Sequence, residues 1–350
     1  FLQHRFDAKG VPFRNYIVAH MPQIEKLGSP FAIIYNVFAS WKLSSGLIKK
    51  VINFSPDRSI PKLSRNTLRS VVKKMQHPVP QALEGRDGSI ATKYYNGKVY
   101  LFADEFTNYM EAELGATFVR LLNKLGYEVV IPKHFESGRT ALSKGMLRLA
   151  RKFAFKNVDV LKDIVTEEHP LIGIEPSCIL SFRDEYPALL RGDMAVAAKK
   201  LAKNCLLFDE FIMREVNAGK ISYESFTISK AEIWLHGHCH QKSLIGTALT
   251  EAMLNLPVNY NVHIIPSGCC GMAGSYGYEK EHYKSSMEIG EEILFPAVRK
   301  VQKMQQDATA EGNTCKYIVA APGTSCREQI LDGTGVRALH PIEVLYNALK

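Results

Sequence analysis

From residue 97 onward, short apolar runs alternate with longer segments in which apolar residues recur every three to four positions. The short runs predict strands, and the longer segments predict connecting helices of a parallel sheet. The six predicted strands are 98–103, 127–132, 171–175, 232–235, 261–266 and 317–321. The predicted helical segments are 108–125, 142–165, 185–220, 242–255 and 282–302, and a polar insert follows at 302–314.

The second half of this pattern repeats the first. Glu105 and Cys239 follow the first strand of each half at a separation of 134 residues, and Pro132 and Pro266 are also 134 apart. Cys178 and Cys326 are 148 apart, and the polar insert supplies most of the difference. We therefore predict an α/β fold of two pseudo-twofold-related parallel-sheet lobes, preceded by an N-terminal helical arm.

The N-terminal part of the chain has a different pattern. Residues 1–77 contain amphipathic segments interrupted by Gly and Pro, which predict an irregular arm with two or three helices. Residues 77–93 are rich in Pro, Gly and polar side chains, which is typical of a linker. The predicted domains are thus a basic arm and linker (1–93), a first lobe with a helical extension (94–220) and a second lobe (221–350).

Composition argues against a membrane-spanning and a secreted protein. The chain has 350 residues, and 46% hydrophobic with 23% charged residues is ordinary for a globular protein. It contains no apolar run of about 18 residues and no signal peptide, so we expect a cytoplasmic protein. The chain begins at Phe1 rather than methionine, so we also expect it to be a piece of a longer protein.

The net charge of +9 resides in the arm. Residues 1–77 hold 13 Lys and Arg against 3 Asp and Glu, whereas the remainder is nearly neutral. This charge has three alternative explanations. The arm is simply solvated, it docks on an acidic partner domain, or it makes peripheral contact with the inner face of an anionic membrane. No nucleic-acid motif accompanies the charge, so we expect no nucleic-acid partner.

The seven cysteines indicate metal or redox chemistry, because they are odd in number and lack a secretory context. Cys239, Cys269, Cys270 and Cys326 lie in three turns at the carboxyl ends of the second-half strands, the edge where α/β sheets bind ligands. Four thiolates converging there would supply the ligands of a [4Fe–4S] cluster. The corresponding first-half turns carry Glu105, Glu136 with Ser137, and Cys178, so we predict that the first lobe holds no cluster of its own.

Other interpretations of these residues remain open at this point. Zinc could bind the same cysteines, although the chain lacks the paired C-x-x-C knuckles that structural zinc sites use. A thiol–disulfide site on Cys269 and Cys270 is a further alternative, but it leaves Cys239 and Cys326 without a role. The side chains with alternative roles are His236, His238 and His240 (cluster contact or polar turn residues), Cys178 (structural thiol or accessory ligand), Cys205 and Cys315 (packing thiols), and Tyr276 and Tyr278 (a cover over the turn).

Several motifs resemble a known family. GCCGMAGSYGYEKEHYKSSMEIGE, TSCREQILDGTG and ALHPIEVL in the second half are similar to the cysteine-rich CCG region of iron–sulfur oxidoreductases. That group includes heterodisulfide reductase subunits, the iron–sulfur subunits of glycolate oxidase and anaerobic glycerol-3-phosphate dehydrogenase, and fused FAD-linked D-2-hydroxyacid dehydrogenases. The first-half motifs that fit the fused type are FTNYMEAELGATFVRLL, SGRTALSKGMLRLAR and EPSCILSFRDEYPALL.

The resemblance implies an electron-transfer module that follows an FAD domain and a ferredoxin-like domain of the same polypeptide. It carries the role of cluster ligand onto Cys239, Cys269, Cys270 and Cys326, and it assigns no catalytic residue to this chain. The enzyme would oxidise a 2-hydroxy acid such as D-lactate, glycolate or D-2-hydroxyglutarate and pass electrons to a quinone or protein acceptor. There are two alternatives to this function. The chain could be a catalytic subunit of heterodisulfide-reductase type, or it could be a metal-free or zinc-bound docking scaffold.

This sequence departs from the family pattern in two ways, because the first repeat has lost its cysteine pair and one ligand position of the second half is changed. The fuller family pattern ends in C-x-x-C, whereas Gly323 stands here at the first cysteine of that pair. The chain therefore supports at most one cluster.

Overall fold

This computed structural model describes residues 1–75, 83–84, 90–91 and 96–350. Most of the predicted linker at 77–93 lies outside these residues. The helices are α1 (Leu2–Lys9), α2 (Phe13–Ala19), α3 (Met21–Gly28), α4 (Ala32–Ser40), α5 (Lys42–Val51), α6 (Leu68–Met75), α7 (Glu105–Tyr109), α8 (Ala112–Lys124), α9 (Arg139–Ser143), α10 (Leu147–Leu161), α11 (Pro176–Ile179), α12 (Glu185–Leu189), α13 (Asp193–Ala202), α14 (Phe208–Asn217), α15 (Cys239–Leu244), α16 (Ala248–Leu254), α17 (Tyr283–Glu292), α18 (Leu294–Ala310), α19 (Thr324–Thr334) and α20 (Pro341–Asn347).

Two parallel sheets form the centre of the molecule. The strands of the two sheets are β3 (Gly97–Phe102), β4 (Tyr127–Val130), β5 (Leu171–Gly173), β6 (Cys205–Leu207), β7 (Ala231–Leu235), β8 (Tyr260–Ile264) and β9 (Lys316–Ala320). The short strands β1 (Leu83–Glu84) and β2 (Ile90–Ala91) precede them. The first sheet has the order β4-β3-β5-β6 and the second has the order β8-β7-β9. In both sheets the earliest strand lies between the next two, and all these pairings are parallel.

This shared strand order confirms the predicted α/β fold with two parallel-sheet lobes. The two lobes share one interior, because a single apolar cluster contains Leu101 and Ile172 of the first sheet together with Ile233 and Leu235 of the second. A smaller cluster lies under α17, α18 and α19, and it includes Cys270 and Cys326. The domain boundaries at 93/94 and 220/221 stay a prediction.

Two predictions within the lobes are wrong. Residues 185–220 are not helical throughout, because Cys205 opens the edge strand β6, which pairs with β5 and buries Leu207 in the core. The helix predicted to end at residue 302 is longer, since α18 continues to Ala310 with Val301 and Ala308 on its buried side. Seven residues separate these two positions, so they fall on one helix face.

The predicted long helices at 142–165 and 242–255 are each interrupted. Gly145 and Gly246 have φ values of +70° and +75°, in the left-handed region that glycine adopts without strain. α9 therefore ends before Gly145, and α10 begins just after it. In the same way, Gly246 separates α15 from α16.

The N-terminal arm, defined here as residues 1–75, contains six short helices rather than two or three. It is anchored on the second lobe by Arg58, which is 1% exposed. The guanidinium donates to the Gly277 carbonyl (2.7 Å) and the Ser286 hydroxyl (2.9 Å), and it pairs with Asp332 at 3.3 Å. A buried arginine needs such a full set of partners, so these contacts fix the arm's position.

Glu279 links the arm to both lobes. This second-lobe carboxylate is 5% exposed, and it pairs with Arg14 of the arm (3.1 Å) and with Lys144 of the first lobe. α2 also packs against α9, where the Thr140 hydroxyl donates to the Ala19 carbonyl at 3.1 Å. The arm therefore closes over the junction between the lobes.

Within the described residues, no single helix has the length and apolarity needed to cross a membrane. One bent pair, Met21–Ser40 with Lys42–Val51 at 95°, meets those criteria by length and composition alone.

Candidate metal centre

The four predicted ligand cysteines meet at one edge of the second sheet. β7, β8 and β9 are parallel and in register, with Leu235 beside both Ile264 and Ala320, so the turns that follow them leave the sheet together. Cys239 is the first residue of α15, and Cys326 is the third residue of α19. Cys269 and Cys270 lie in the turn after β8.

The thiols adjoin one another in a row from Cys239 through Cys269 and Cys270 to Cys326, so that each affects the pKa of its neighbour. Cys270 and Cys326 are buried, Cys269 is partly exposed and Cys239 is exposed. The structure thus brings together all four cysteines from separations of 30 and 56 residues.

The turn that carries Cys269 and Cys270 is held from both sides. The Lys242 ammonium donates to the Ser267 and Gly268 carbonyls at 2.6 and 2.5 Å. Gly271 has φ +93°, and a Cβ there would lie 2.2 Å from the Ser286 carbonyl oxygen. Only glycine fits this position, so the backbone N–H of Gly271 can turn back and donate to the Cys269 sulfur at 3.3 Å.

The four thiols of this row differ in pKa. Hydrogen bonds from Cys239 and Cys270, with the Gly271 N–H, hold the pKa of Cys269 well below its usual value. A hydrogen bond from Cys270 and the nearby His236 lower the pKa of Cys326. The pKa values of Cys239 and Cys270 are raised, first because each thiol donates a hydrogen bond to a neighbouring thiolate, and further because burial and the nearby negative charge disfavour its ionisation.

The equivalent turns of the first lobe hold a carboxylate network instead. Glu105 is the first residue of α7 and Cys178 the third of α11, which matches the helix positions of Cys239 and Cys326. The Ser137 hydroxyl and N–H donate to the two Glu105 oxygens at 2.6 and 2.9 Å. Burial raises the pKa of the Cys178 thiol, which is fully buried. Cys178 is therefore placed in the first-lobe network rather than in the row of four.

Glu175 joins the two sets of turns, a contact that the sequence pattern did not predict. This first-lobe side chain caps α11 through the Ser177 N–H and reaches across to the start of α19, where it accepts from the Thr324 N–H at 2.8 Å. Burial alone would raise its pKa, but His238, the Thr324 N–H and Ser177 outweigh burial and lower it. A signal was present, because Glu175 lies 148 residues before Gly323, the same offset that relates Cys178 to Cys326.

Two of the three histidines that flank Cys239, His236 and His238, lie on the same side as the thiols. Both are buried. A Cβ on Gly323 would lie 2.4 Å from the His238 ring and 3.2 Å from the Cys326 sulfur. The His238 ring therefore fills the space that a side chain at position 323 would need.

A cavity of about 670 Å³ lies beside the thiols, between the lobes and the arm. Its wall is mainly apolar, and three buried polar atoms on it have no hydrogen-bond partner among the described residues. These atoms are His238 Nδ1, His240 Nδ1 and Glu185 Oε2. The residues that line this cavity include Val18, Met21, Phe54, Phe106, Met110, Ser143, Glu185, His238, Cys239, His240, Tyr278 and Cys326.

Cys205 and Cys315 are not part of the row of four thiols. Cys205 is buried in β6, as expected of a packing thiol, whereas Cys315 is partly exposed. Tyr278 lines the cavity and contacts Phe54 of the arm at a ring separation of 5.6 Å, while Tyr276 stacks on His282. Of these two tyrosines, Tyr278 is the one that lines the cavity.

The chain is similar in sequence to several oxidoreductase components. It is 27% identical over 349 residues to a component of the anaerobic glycerol-3-phosphate dehydrogenase of Escherichia coli, covering 99% of the chain and 79% of the relative. It is 28% identical over 344 residues to D-2-hydroxyglutarate dehydrogenase of Escherichia coli, covering 97% of the chain but 31% of the relative.

A third relative, lactate utilization protein A of Macrococcus caseolyticus, is 24% identical over 72% of the chain and 98% of its own length. No protein-family profile matches the chain. The three relatives confirm the resemblance that the sequence motifs indicated. The chain spans less than a third of D-2-hydroxyglutarate dehydrogenase.

We predict that in the metal-free protein at pH 7 iodoacetamide alkylates Cys269 about tenfold faster than Cys239, although Cys239 is the more exposed. The thiolate is the reactive form, and the lowered pKa of Cys269 keeps it ionised as the pH falls to neutrality. Site-resolved mass spectrometry of a time course measures both rates. Faster modification of Cys239 would contradict the acidity order described here.

Proposed function

We propose that this chain is an iron–sulfur electron-transfer module of a flavin-dependent dehydrogenase. The observation that carries the proposal is the meeting of Cys239, Cys269, Cys270 and Cys326 at one sheet edge. Four soft thiolate donors, two of them with lowered pKa values, are a suitable ligand set for a [4Fe–4S] cluster. A bound cluster would supply single-electron transfer.

The flavin and the substrate belong to another part of the proposed enzyme. Two of the relatives have the names of dehydrogenases acting on glycerol 3-phosphate and D-2-hydroxyglutarate, which supports an oxidoreductase role for this chain. We propose that an FAD domain oxidises a 2-hydroxy acid and that a ferredoxin-like domain delivers the electrons here. This chain's residues then bind and orient the cluster and exclude water from Cys270 and Cys326.

The cavity beside the thiols supports a small acceptor, and we propose a quinone. A volume of about 670 Å³ is in the range that binds cofactor-sized molecules. Apolar side chains such as Phe106 and Met110 suit the ring, and the unpartnered atoms of His238 and His240 suit its two carbonyl oxygens. A protein acceptor and a disulfide substrate, as in heterodisulfide reductase, are the other candidates.

The arm supports peripheral contact with a membrane, from which a lipid-soluble quinone would come. Its helices α3 to α5 expose a dense set of apolar side chains, namely Leu27, Phe31, Ile33, Ile34, Val37, Phe38, Trp41, Leu43, Leu47, Ile48 and Val51. Lys26, Lys42, Lys49 and Lys50 lie among them. Apolar residues with a tryptophan and flanking lysines are typical of a segment that lies in the membrane interface, and we propose the inner, cytoplasmic face.

The cluster proposal predicts a difference between two buried cysteines. After anaerobic reconstitution, the wild type should hold about four irons per chain. Cys270→Ala should lose most of this iron, because it removes a central ligand, whereas Cys205→Ala should retain it. Iron and zinc analysis with the absorbance near 400 nm measures the outcome. Equal iron in both variants would show that the ligands are chosen wrongly, and stoichiometric zinc without iron would contradict the cluster.

The acceptor proposal predicts that filling the cavity slows reaction with a quinone. Dithionite-reduced protein should be reoxidised by a short-chain naphthoquinone, and Ser143→Trp should slow this about tenfold because its side chain enters the cavity. Ser285→Trp, at an exposed serine outside the cavity, is the matched control. Stopped-flow absorbance follows the cluster. No reaction of the wild type with the quinone, or turnover of a disulfide without flavin, would favour the other candidates.

The membrane proposal predicts binding to anionic vesicles. The protein should sediment with phosphatidylglycerol-containing vesicles, and Val37→Glu should weaken this about tenfold by placing a charge in the apolar surface. Val37 and the control residue Val196 are similarly exposed, at 63% and 69%, but Val196 lies on α13 of the first lobe. Equal binding of Val37→Glu and Val196→Glu would exclude the arm as the contact.

A further inference from the structure

His236 occupies an unusual position for a polar residue. It directly follows β7, and its side chain is fully buried against the base of the thiol row. One of its imidazole nitrogens, the Cys270 sulfur and the Cys326 sulfur all lie within 4.8 Å of one another. The backbone N–H of His236 donates to the Ala320 carbonyl at 2.9 Å, which fixes the residue to the neighbouring strand end.

The two ring nitrogens of His236 have different surroundings. Nδ1 lies 2.7 Å from the Ser267 hydroxyl oxygen. Nε2 is buried and has no hydrogen-bond partner among the described residues. An unpaired buried donor or acceptor is costly, so a partner for Nε2 is expected when the site is complete.

The surroundings of Nδ1 determine what Nε2 can offer. The Ser267 hydroxyl makes no other side-chain hydrogen bond within the described part of the chain, so it can donate its proton to Nδ1. In a neutral imidazole, an accepting Nδ1 leaves the proton on Nε2. Nε2, the ring nitrogen without a partner among the described residues, is then available as a donor to the nearby sulfurs. A role as a further metal ligand is unnecessary, because four thiols already provide a complete set.

We propose that His236 donates a hydrogen bond from Nε2 to a sulfur atom of the bound cluster or of its Cys326 ligand, and that this raises the reduction potential of the cluster. The inference rests on the proposed function. A reduced cluster carries more negative charge than an oxidised one, so a donor to its sulfur atoms stabilises the reduced state more. Through this hydrogen bond, His236 sets the reduction potential at which the module accepts an electron.

The wild type can be tested directly. Protein labelled with ¹⁵N-histidine is reconstituted anaerobically, reduced and studied by pulsed EPR in H₂O and in D₂O. We expect a weak ¹⁵N coupling together with an exchangeable deuteron coupling. A strong ¹⁵N coupling without the deuteron would identify His236 as a metal ligand and overturn the proposal, as would the absence of both couplings.

Variants then test the effect on the potential. His236→Leu should retain its iron, lose both couplings and lower the midpoint potential measured in an EPR-monitored titration. His236→Gln places an amide donor near the same position and should recover most of the shift. His263→Leu is the control, because His263 lies in the same lobe with its Nε2 paired to Glu232 at 2.6 Å. An unchanged potential in His236→Leu would overturn the proposal.

The outcomes separate this proposal from the function on which it rests. If His236→Leu fails to retain iron, the wild-type couplings still decide the question. A wild type with a normal cluster signal but no histidine coupling contradicts the role of His236 alone. A wild type that binds no iron contradicts the proposed function and this inference together.

Discussion

The site depends on the parallel register of three strands. Because β8, β7 and β9 pair side by side, the residues that end them, Ile264, Leu235 and Ala320, lie in one row. The turns that follow must leave the sheet at one edge, and each carries one or two cysteines. Thiols that are 30 and 56 residues apart in the chain therefore meet without any short binding motif. A slip of this register would move the cysteines apart and remove the site.

The first lobe uses the same frame for a different purpose. Its turns place Glu105, Ser137 and Cys178 where the second lobe has cysteines, and a serine–carboxylate hydrogen bond replaces the row of thiols. Glu175 then extends from this lobe to the start of α19, next to Cys326. The first lobe thus helps to hold the thiol-bearing turns of the second lobe in place. Donors from both lobes stabilise the buried Glu175 carboxylate. This side chain therefore links the relative position of the two lobes to the geometry of the thiol row.

The arm completes the cavity, and charge pairing explains its attachment. Arg58 is buried among second-lobe acceptors, and Glu279 contacts cations from both the arm and the first lobe. These contacts hold Val18 and Phe54 over the thiols as an apolar wall. Helices α3 to α5 of the same arm expose apolar and basic side chains, so the arm both encloses the site and offers a surface outside it.

The sequence alone determined the α/β class, the two lobes and the four convergent cysteines, because strand periodicity and turn position are local properties that repeat along the chain. It misplaced β6 and the end of α18, where short or polar segments take their structure from buried neighbours. Only the tertiary structure decided the contacts of Glu175, His236 and Arg58 and the existence of the cavity. Their partners lie on distant elements, so which buried polar group meets which partner depends on packing between lobes and arm, and no local pattern encodes it.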